Sequence, residues 1–266
     1  MNKTAILDCD SIAYTIGHGN KILDEFGIPL RTEDGSKFIY TEKTQDELAA
    51  SADFIIKDIL NKSNCDSYVG FIKGKNTIKS RLEYNPKYKQ DRTAEQPKWW
   101  GFVKLYLIGN YRIYEANNNE VDDYVVSFLK ENQNSFIVAI DSDILGTEGN
   151  HFNWKKNEWV TTNKEDEIYN FWSQMITGSH NNVEGLKGKG IKYFERLFNL
   201  HIKDKKNTAL YPTMILTEYI TYYGESYGIK EYYKNYFSLK LKDDLDTSMY
   251  QPIEWNQYNI LEEHGI

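Results

Sequence analysis

TAILDCD at residues 4–10 is an apolar run that ends in carboxylates. Its middle shows no polar alternation, as in a strand buried on both faces. FIVAIDSD at 136–143 repeats the pattern, so Asp8 and Asp10 find counterparts in Asp141 and Asp143. SYVGFI at 67–72 and YRIYEA at 111–116 are further strand-like runs. Leu48, Ala52, Ile55, Ile56 and Ile59 recur at helical spacing. PKWWGFVKLYLIG at 97–109 opens with proline and closes with glycine, and EVDDYVVSFLKEN at 120–132 is an amphipathic helix with acids in its first turn. Strands alternating with helices predict an α/β fold built on a mostly parallel sheet.

Residues 17–43, polar and punctuated by glycines, read as an inserted hairpin or loop, and HFNWKKNEWV at 151–160 as a short hairpin. From Lys164 the chain reads as helical, over 164–177, 191–200, 208–223 and 229–238, with a glycine-rich turn at 185–190. The stretch from 240 to 266 reads as an acidic tail, either partly unstructured or a partner contact.

With 266 residues, 40% hydrophobic and 27% charged, the composition is globular and needs no disulfide or metal staple. No run approaches the roughly 18 apolar residues of a membrane span, and the first residues lack the apolar core of a signal peptide. Cys9 and Cys65 fit no disulfide framework or zinc spacing, so a cytoplasmic location is expected. A net charge of −7 argues against a chain basic throughout but leaves room for local basic patches.

Ligands of such sheets gather at the carboxyl ends of the strands. There the chain carries Asp8 and Asp10, then Glu120, Asp122 and Asp123, then Asp141 and Asp143. Bringing these carboxylates together costs several kcal/mol unless protons or cations neutralise them. Oxygen donors with no His or Cys beside them suit Mg²⁺ or Mn²⁺ better than zinc, and such ions serve phosphodiester hydrolysis. Any one of these aspartates, taken singly, also reads as a helix cap or turn residue.

Between Lys73 and Lys104 nine basic residues face three acidic ones, with Tyr84, Tyr88, Trp99 and Trp100 interleaved. Cations among aromatics suit phosphates and unstacked bases, so Arg81, Lys87, Tyr88, Lys89 and Arg92 are candidate nucleic-acid contacts. A solvated loop leading into an ordinary helix is the plainer reading, and it is preferred for the two tryptophans. A second patch, Lys187 to Lys206, holds seven bases against two acids. It includes GLKGKGIKYF, where Gly185, Lys187, Gly188, Lys189, Gly190 and Lys192 offer a backbone approach to phosphate at a helix start.

In order and rough spacing, ILDCDSIAY, YNPKYKQDR, EVDDYV, AIDSD and MITGSHNNVEGLKGKG resemble the motifs of the 5′→3′ exonuclease/flap endonuclease superfamily, the bacteriophage members above all. The resemblance spans about residues 3–200. It implies a PIN-like nuclease core over 1–177 with a helical arch at about 73–105, a helix–three-turn–helix DNA-binding part over 178–240, and the tail over 241–266. The family's metal ligands fall on Asp8, Asp10, Glu120, Asp122, Asp123, Asp141 and Asp143, and its arch motif on Pro86, Tyr88, Lys89 and Arg92. Lys89 and Arg92 would then hold the scissile phosphate, with Asp8 and Glu120 among the catalytic groups, and Gly185, Gly188 and Gly190 would line the turn that grips duplex DNA.

Two departures stand out. Lys73 occupies the point after the second strand where the family carries an aspartate, and TGSHNN offers Ser179, His180, Asn181 and Asn182 where it carries two. Neutral oxygens hold Mg²⁺ less strongly, so one firmly bound Mg²⁺ or Mn²⁺ and a weak second ion are expected. The expected activity is metal-dependent hydrolysis of DNA at 5′ ends, flaps or nicks, extending to RNA in RNA–DNA hybrids, by a monomer in phage-type replication. The alternatives are a catalytically weakened, structure-specific DNA-binding protein on the same fold and a PIN-type ribonuclease.

Overall fold

A computed structural model describes residues 3–91, 96–179, 181–201 and 210–255, with backbone alone at 198–201. Arg92, His180, Lys203, Lys205, Lys206 and the last part of the tail lie outside the described residues.

The chain opens with β1 (Thr4–Asp8) and α1 (Cys9–Gly17), followed by the excursion 18–43, then α2 (Gln45–Ser63), β2 (Ser67–Lys73) and the short α3 (Lys79–Leu82). Next come α4 (Trp100–Tyr111), β3 (Tyr114–Ala116), α5 (Val121–Glu131), β4 (Ser135–Val138), α6 (Ser142–Leu145), β5 (Gly149–Asn153) and β6 (Glu158–Thr162). The remainder is α7 (Lys164–Thr177), β7 (Gly178–Ser179), β8 (Val183–Glu184), α8 (Ile191–His201), α9 (Tyr211–Tyr223), α10 (Glu225–Leu239) and β9 (Ile253–Glu254).

The main sheet runs β3-β2-β1-β4-β5-β6, parallel through β5, with β6 returning antiparallel. Central β1 keeps Ala5, Ile6 and Leu7 wholly buried because both faces are covered. One core packs α1, α2 and α4 on one face and another packs α5 on the opposite face, while α7 to α10 enclose a third. Gly70 in β2 is required by the first of these. A Cβ there would lie 2.5 Å from Ile113 Cδ1 and 3.0 Å from Cys9 Sγ.

Local chemistry accounts for the element ends. Thr44 opens α2 with a capping box: its hydroxyl accepts the Glu47 N–H at 3.2 Å, and the Glu47 carboxylate accepts the Thr44 N–H at 2.8 Å. Asp8 accepts the Asp10 N–H at 3.1 Å, so the chain turns helical at Cys9. The strand expected over 4–10 therefore stops at Asp8, and α1 begins without a loop. α4 runs past Gly109 to Tyr111, whose ring is buried and whose hydroxyl donates to Asp53 at 2.7 Å.

The described part of 73–105, where an arch is expected, holds α3 and the start of α4. The four-residue α3 is followed by turns through Asp91, where Asn85 caps the backbone locally by accepting the Lys87 N–H. Residues 241–255 are no loose tail. The Lys242 N–H donates to Asp123 at 2.7 Å, the Leu245 N–H to Ser127 at 3.1 Å, and β9 pairs with β2. Finally, α10 starts at Glu225, ahead of the expected 229, because Gly228 can pack directly on the α9 backbone. The excursion at 18–43 is an exposed hairpin with bridges Lys21–Tyr40 and Arg31–Phe38. Among the described residues no helix is long and apolar enough to cross a membrane.

Candidate active site

Parallel register brings the acids to one rim. Leu7 pairs with Val138, so Asp8 leaves β1 beside the point where β4 runs on towards Asp141. Asp141 repeats the geometry of Asp8: its carboxylate accepts the Asp143 N–H at 2.9 Å and starts α6. Two strand ends thus carry the same D-x-D cap. Asp10 turns towards the neighbouring strand end and accepts the Lys73 N–H at 2.7 Å. α5 contributes Asp122 from its first turn.

The electrostatics reveal how close these groups lie. Burial, then the charges of Asp10 and Asp141, push the Asp8 carboxyl up to about 7. Asp122 is driven well above the carboxylate range by burial and by Glu120, Asp8 and Asp141 together. Burial and Asp141 raise Asp143, which accepts the Gln174 amide at 2.7 Å. Burial raises Asp10 as well, against the pull of Lys73, Lys89 and Lys104. Six carboxylates from β1, α1, α5 and α6 therefore share one field.

Glu120 is the exception. Despite its burial, it is held below the usual range, first by the Lys89 ammonium, with which it forms an ion pair. Tyr88 donates its hydroxyl to Glu120 at 2.9 Å, and the Arg81 guanidinium lies 3.4 Å away. Lys89 adopts a left-handed backbone (φ 58°), and its N–H donates to the Asn181 carbonyl at 3.1 Å. The basic segment thus delivers one cation into the acid rim from a fixed backbone position.

Three candidate residues have other duties. Asp123, expected among the metal ligands, is fully buried and spent on Arg81 Nη2 at 2.7 Å and on the Glu120 and Lys242 N–H groups. Arg81, expected to meet nucleic acid, is 3% exposed; besides the two carboxylates it holds the carbonyls of Phe237 and Lys240. Four of its five N–H groups are committed inside the protein. Tyr88, expected at the same surface, is 5% exposed with its hydroxyl on Glu120. A basic run cannot distinguish a guanidinium that reaches out from one that folds in.

The turn around Asn181 and Asn182 docks on the basic segment. Asn85 donates its amide to the Asn182 carbonyl at 3.0 Å, and the Asn182 amide donates to Asp91. These residues clamp backbone, and they add no charge towards a second cation. Past them, Gly185 packs rather than binds: a Cβ there would lie 2.2 Å from the Ile176 carbonyl oxygen. Gly188 (φ 77°) and Gly190 face open space, and Lys187 and Lys192 are exposed at the start of α8. Lys189 lies over the Tyr193 ring at 3.9 Å. Sequence reading missed Gln174 and took Lys104 only as the end of the basic run. Lys104 donates to the Lys73 carbonyl at 2.6 Å and pairs with Glu115 at 2.6 Å. Their sequence distance from the acids left no local signal.

Among the described residues, no three His, Cys, Asp or Glu side chains close on a common point at metal-ligand spacing. Glu120 is bound to Lys89, Asp10 to a backbone N–H and Asp143 to Gln174. Asp8 and Asp141 each accept one backbone N–H as helix caps, and Asp122 faces both of them. In chemistry the set fits a hard divalent ion. It is all carboxylate oxygen, and the raised Asp8 and Asp122 record crowding that a cation would relieve.

No family model matches the chain, and no curated protein does. Solved structures do. A bacteriophage T5 protein co-crystallised with metal ions is 14% identical, covers 90% of each chain and has a TM-score of 0.61. T5 5′-exonuclease with bound zinc is 14% identical over 90% of each chain, TM-score 0.57. Bacteriophage T5 flap endonuclease in complex with DNA and metal ions is 13% identical, TM-score 0.53, covering 89% of this chain and 96% of that one. At such identities the likeness establishes the fold: a mixed α/β architecture of the 5′-exonuclease/flap endonuclease type.

Proposed function

We propose that the chain is a divalent-metal-dependent phosphodiesterase acting on DNA from 5′ ends or at flaps and nicks. The observation that carries this reading is the rim of six carboxylates, gathered from four elements at the carboxyl ends of parallel strands, with Lys89 aimed into it. A fold shared with T5 flap endonuclease, itself solved with DNA and metal ions, adds support.

The chemistry a divalent ion would supply at such a rim is polarisation of a phosphoryl oxygen and activation of water near neutral pH. Asp8, Asp122 and Asp141 are the residues that would hold it, with Glu120 joining once Lys89 moves to a phosphate. Lys89 trades one oxyanion for another in that movement, so little charge-pairing energy is lost. Arg81 keeps Glu120 and Asp123 fixed to the end of α10 during the exchange. The exposed Lys187 and Lys192, with the open glycine turn, meet the duplex backbone.

A second reading is a DNA-binding protein of weakened catalysis. It is favoured by Asn181 and Asn182, which clamp the basic segment where a second ion would want acids. One experiment separates the two. A 5′-labelled flap, a nicked duplex, single-stranded DNA and RNA are incubated with the protein in EDTA, Mg²⁺ or Mn²⁺. Metal-dependent cutting of the flap or 5′ end is expected. Tight flap binding without product would establish the second reading, and cutting of RNA alone would refute both.

A further inference from the structure

The tyrosine-rich helices α9 and α10 take no part in the acid rim, yet they leave aromatic rings in water. Tyr84, from the basic segment, stacks on Phe237 of α10 with centroids 4.2 Å apart and planes 24° from parallel. Phe237 in turn runs parallel to Tyr233, one helical turn back, at 6.1 Å and 21°. The three rings are 46%, 36% and 48% exposed. Most of the surrounding tyrosines pack edge-on to their neighbours, and Tyr219 and Tyr232 are buried in the third core. A parallel, half-exposed column of three rings is a different object.

The column is rigidly seated. Arg81 donates to the Phe237 carbonyl at 2.9 Å, and the Tyr84 N–H donates to the Arg81 carbonyl at 3.2 Å. One buried guanidinium therefore sets the register of Tyr84 on α10. Beyond Tyr233, α9 and α10 border a shallow, open cavity of about 330 Å³ lined by Pro212, Thr213, Leu216, Tyr232, Tyr233 and Tyr236. In the other direction the segment continues through exposed Lys87 to Lys89 in the acid rim. Lys79 and Lys87 on this segment and Lys230 on α10 are exposed, as are Glu83 and Glu225.

We propose that Tyr84, Phe237 and Tyr233 form a stacking track for unpaired bases of the strand that passes the acid rim, with the cavity seating a base at its far end. The proposal rests on the nucleic-acid reading above and adds a subsite to it. Half-exposed rings, spaced along a helix and accompanied by ammonium groups, match unpaired bases and their phosphates. The continuity of the track with Lys87 and Lys89 sets its direction. Bases leaving the rim meet Tyr84 first.

Binding in EDTA tests this without any cleavage. Fluorescence anisotropy is measured for a labelled oligothymidine, a flap and a blunt duplex of matched length, with wild type, Tyr84→Ala, Tyr233→Ala and Tyr84→Phe. Each alanine variant is expected to weaken oligothymidine and flap binding by at least about fivefold, the lower end for loss of one stacked base. Blunt-duplex affinity and melting temperature stay unchanged, and Tyr84→Phe binds like wild type. Wild-type affinity in both alanine variants overturns the track and assigns the rings to another occupant, such as an apolar protein segment. Equal losses for oligothymidine and blunt duplex overturn it too. A wild-type chain that binds none of the three probes overturns the nucleic-acid reading itself, which is a separate outcome.

Discussion

Asp8→Asn keeps the oxygen that caps α1 and removes the charge that crowds the rim. Asparagine caps a helix about as well as aspartate, so the Asp10 N–H keeps its acceptor. The carboxyl it replaces is raised from 3.8 to about 7, by burial and then by Asp10 and Asp141. Between those two values the unfolded chain releases a proton that the folded chain retains. Stability therefore falls as pH rises through this window and levels off above it. At about 1.36 kcal/mol per unit, the full difference is roughly 4 kcal/mol, and neighbouring acids share the relief, leaving about 2–4 kcal/mol. For a chain of this size that is roughly 5–15 °C in melting temperature. Urea and thermal unfolding in EDTA at pH 4 and pH 8 measure it. The variant should match wild type at pH 4, exceed it at pH 8, and gain less from added Mg²⁺. Equal stabilities at pH 8, or a gain of the same size at pH 4, would refute the claim that Asp8 sits uncompensated among other acids.

Arg81→Met should cost about 3–5 kcal/mol in urea unfolding by stranding buried Asp123, and a second substitution, Asp123→Asn, which removes the charge and keeps an acceptor oxygen, should recover part of it. If the double variant is less stable than Arg81→Met, the pair is not the reason for the loss. Lys89→Ala should slow flap cleavage by about 100-fold or more while circular dichroism stays that of wild type, since its ammonium is aimed into the rim. Unimpaired single-turnover rates would remove Lys89 from the mechanism. Gly185→Ala should destabilise by about 3 kcal/mol because its Cβ meets the Ile176 carbonyl, whereas Gly188→Ala, strained only by its positive φ in open space, should cost about 1 kcal/mol. Equal melting temperatures for the two would contradict the packing assigned to Gly185.

Much of the architecture was legible because its signals are local. An unbroken apolar run such as AIL or FIV has no polar face to turn to solvent, so it must be a strand covered on both sides. The helix read over residues 164–177 is capped in the structure by Asn163, which accepts the Asp166 N–H at 2.9 Å. The acids at strand ends belong to the same class, since a D-x-D after an apolar run is both a cap and a rim position. The start of α1 was harder. Asp8 ends one element and caps the next in the same residue, and apolar periodicity is silent across so short a span.

Side-chain direction was beyond the reach of pattern. Glu120, Asp122 and Asp123 are consecutive or nearly so, yet one pairs with Lys89, one faces the other acids and one is sealed against Arg81. Arg81 and Lys89 belong to one basic run, and only packing against α10 turns the first inward. The acidic composition beyond residue 240 suggested a tail, but backbone N–H groups of that stretch found buried acceptors on α5. Apolar periodicity and capping are properties of neighbours in the chain, so the amino-acid order alone determined the strands, most helices and the candidate acids. Ion pairing and burial are contests among groups far apart in the chain. Which acid is spent, which cation is free and which ring meets water was decided by the tertiary structure.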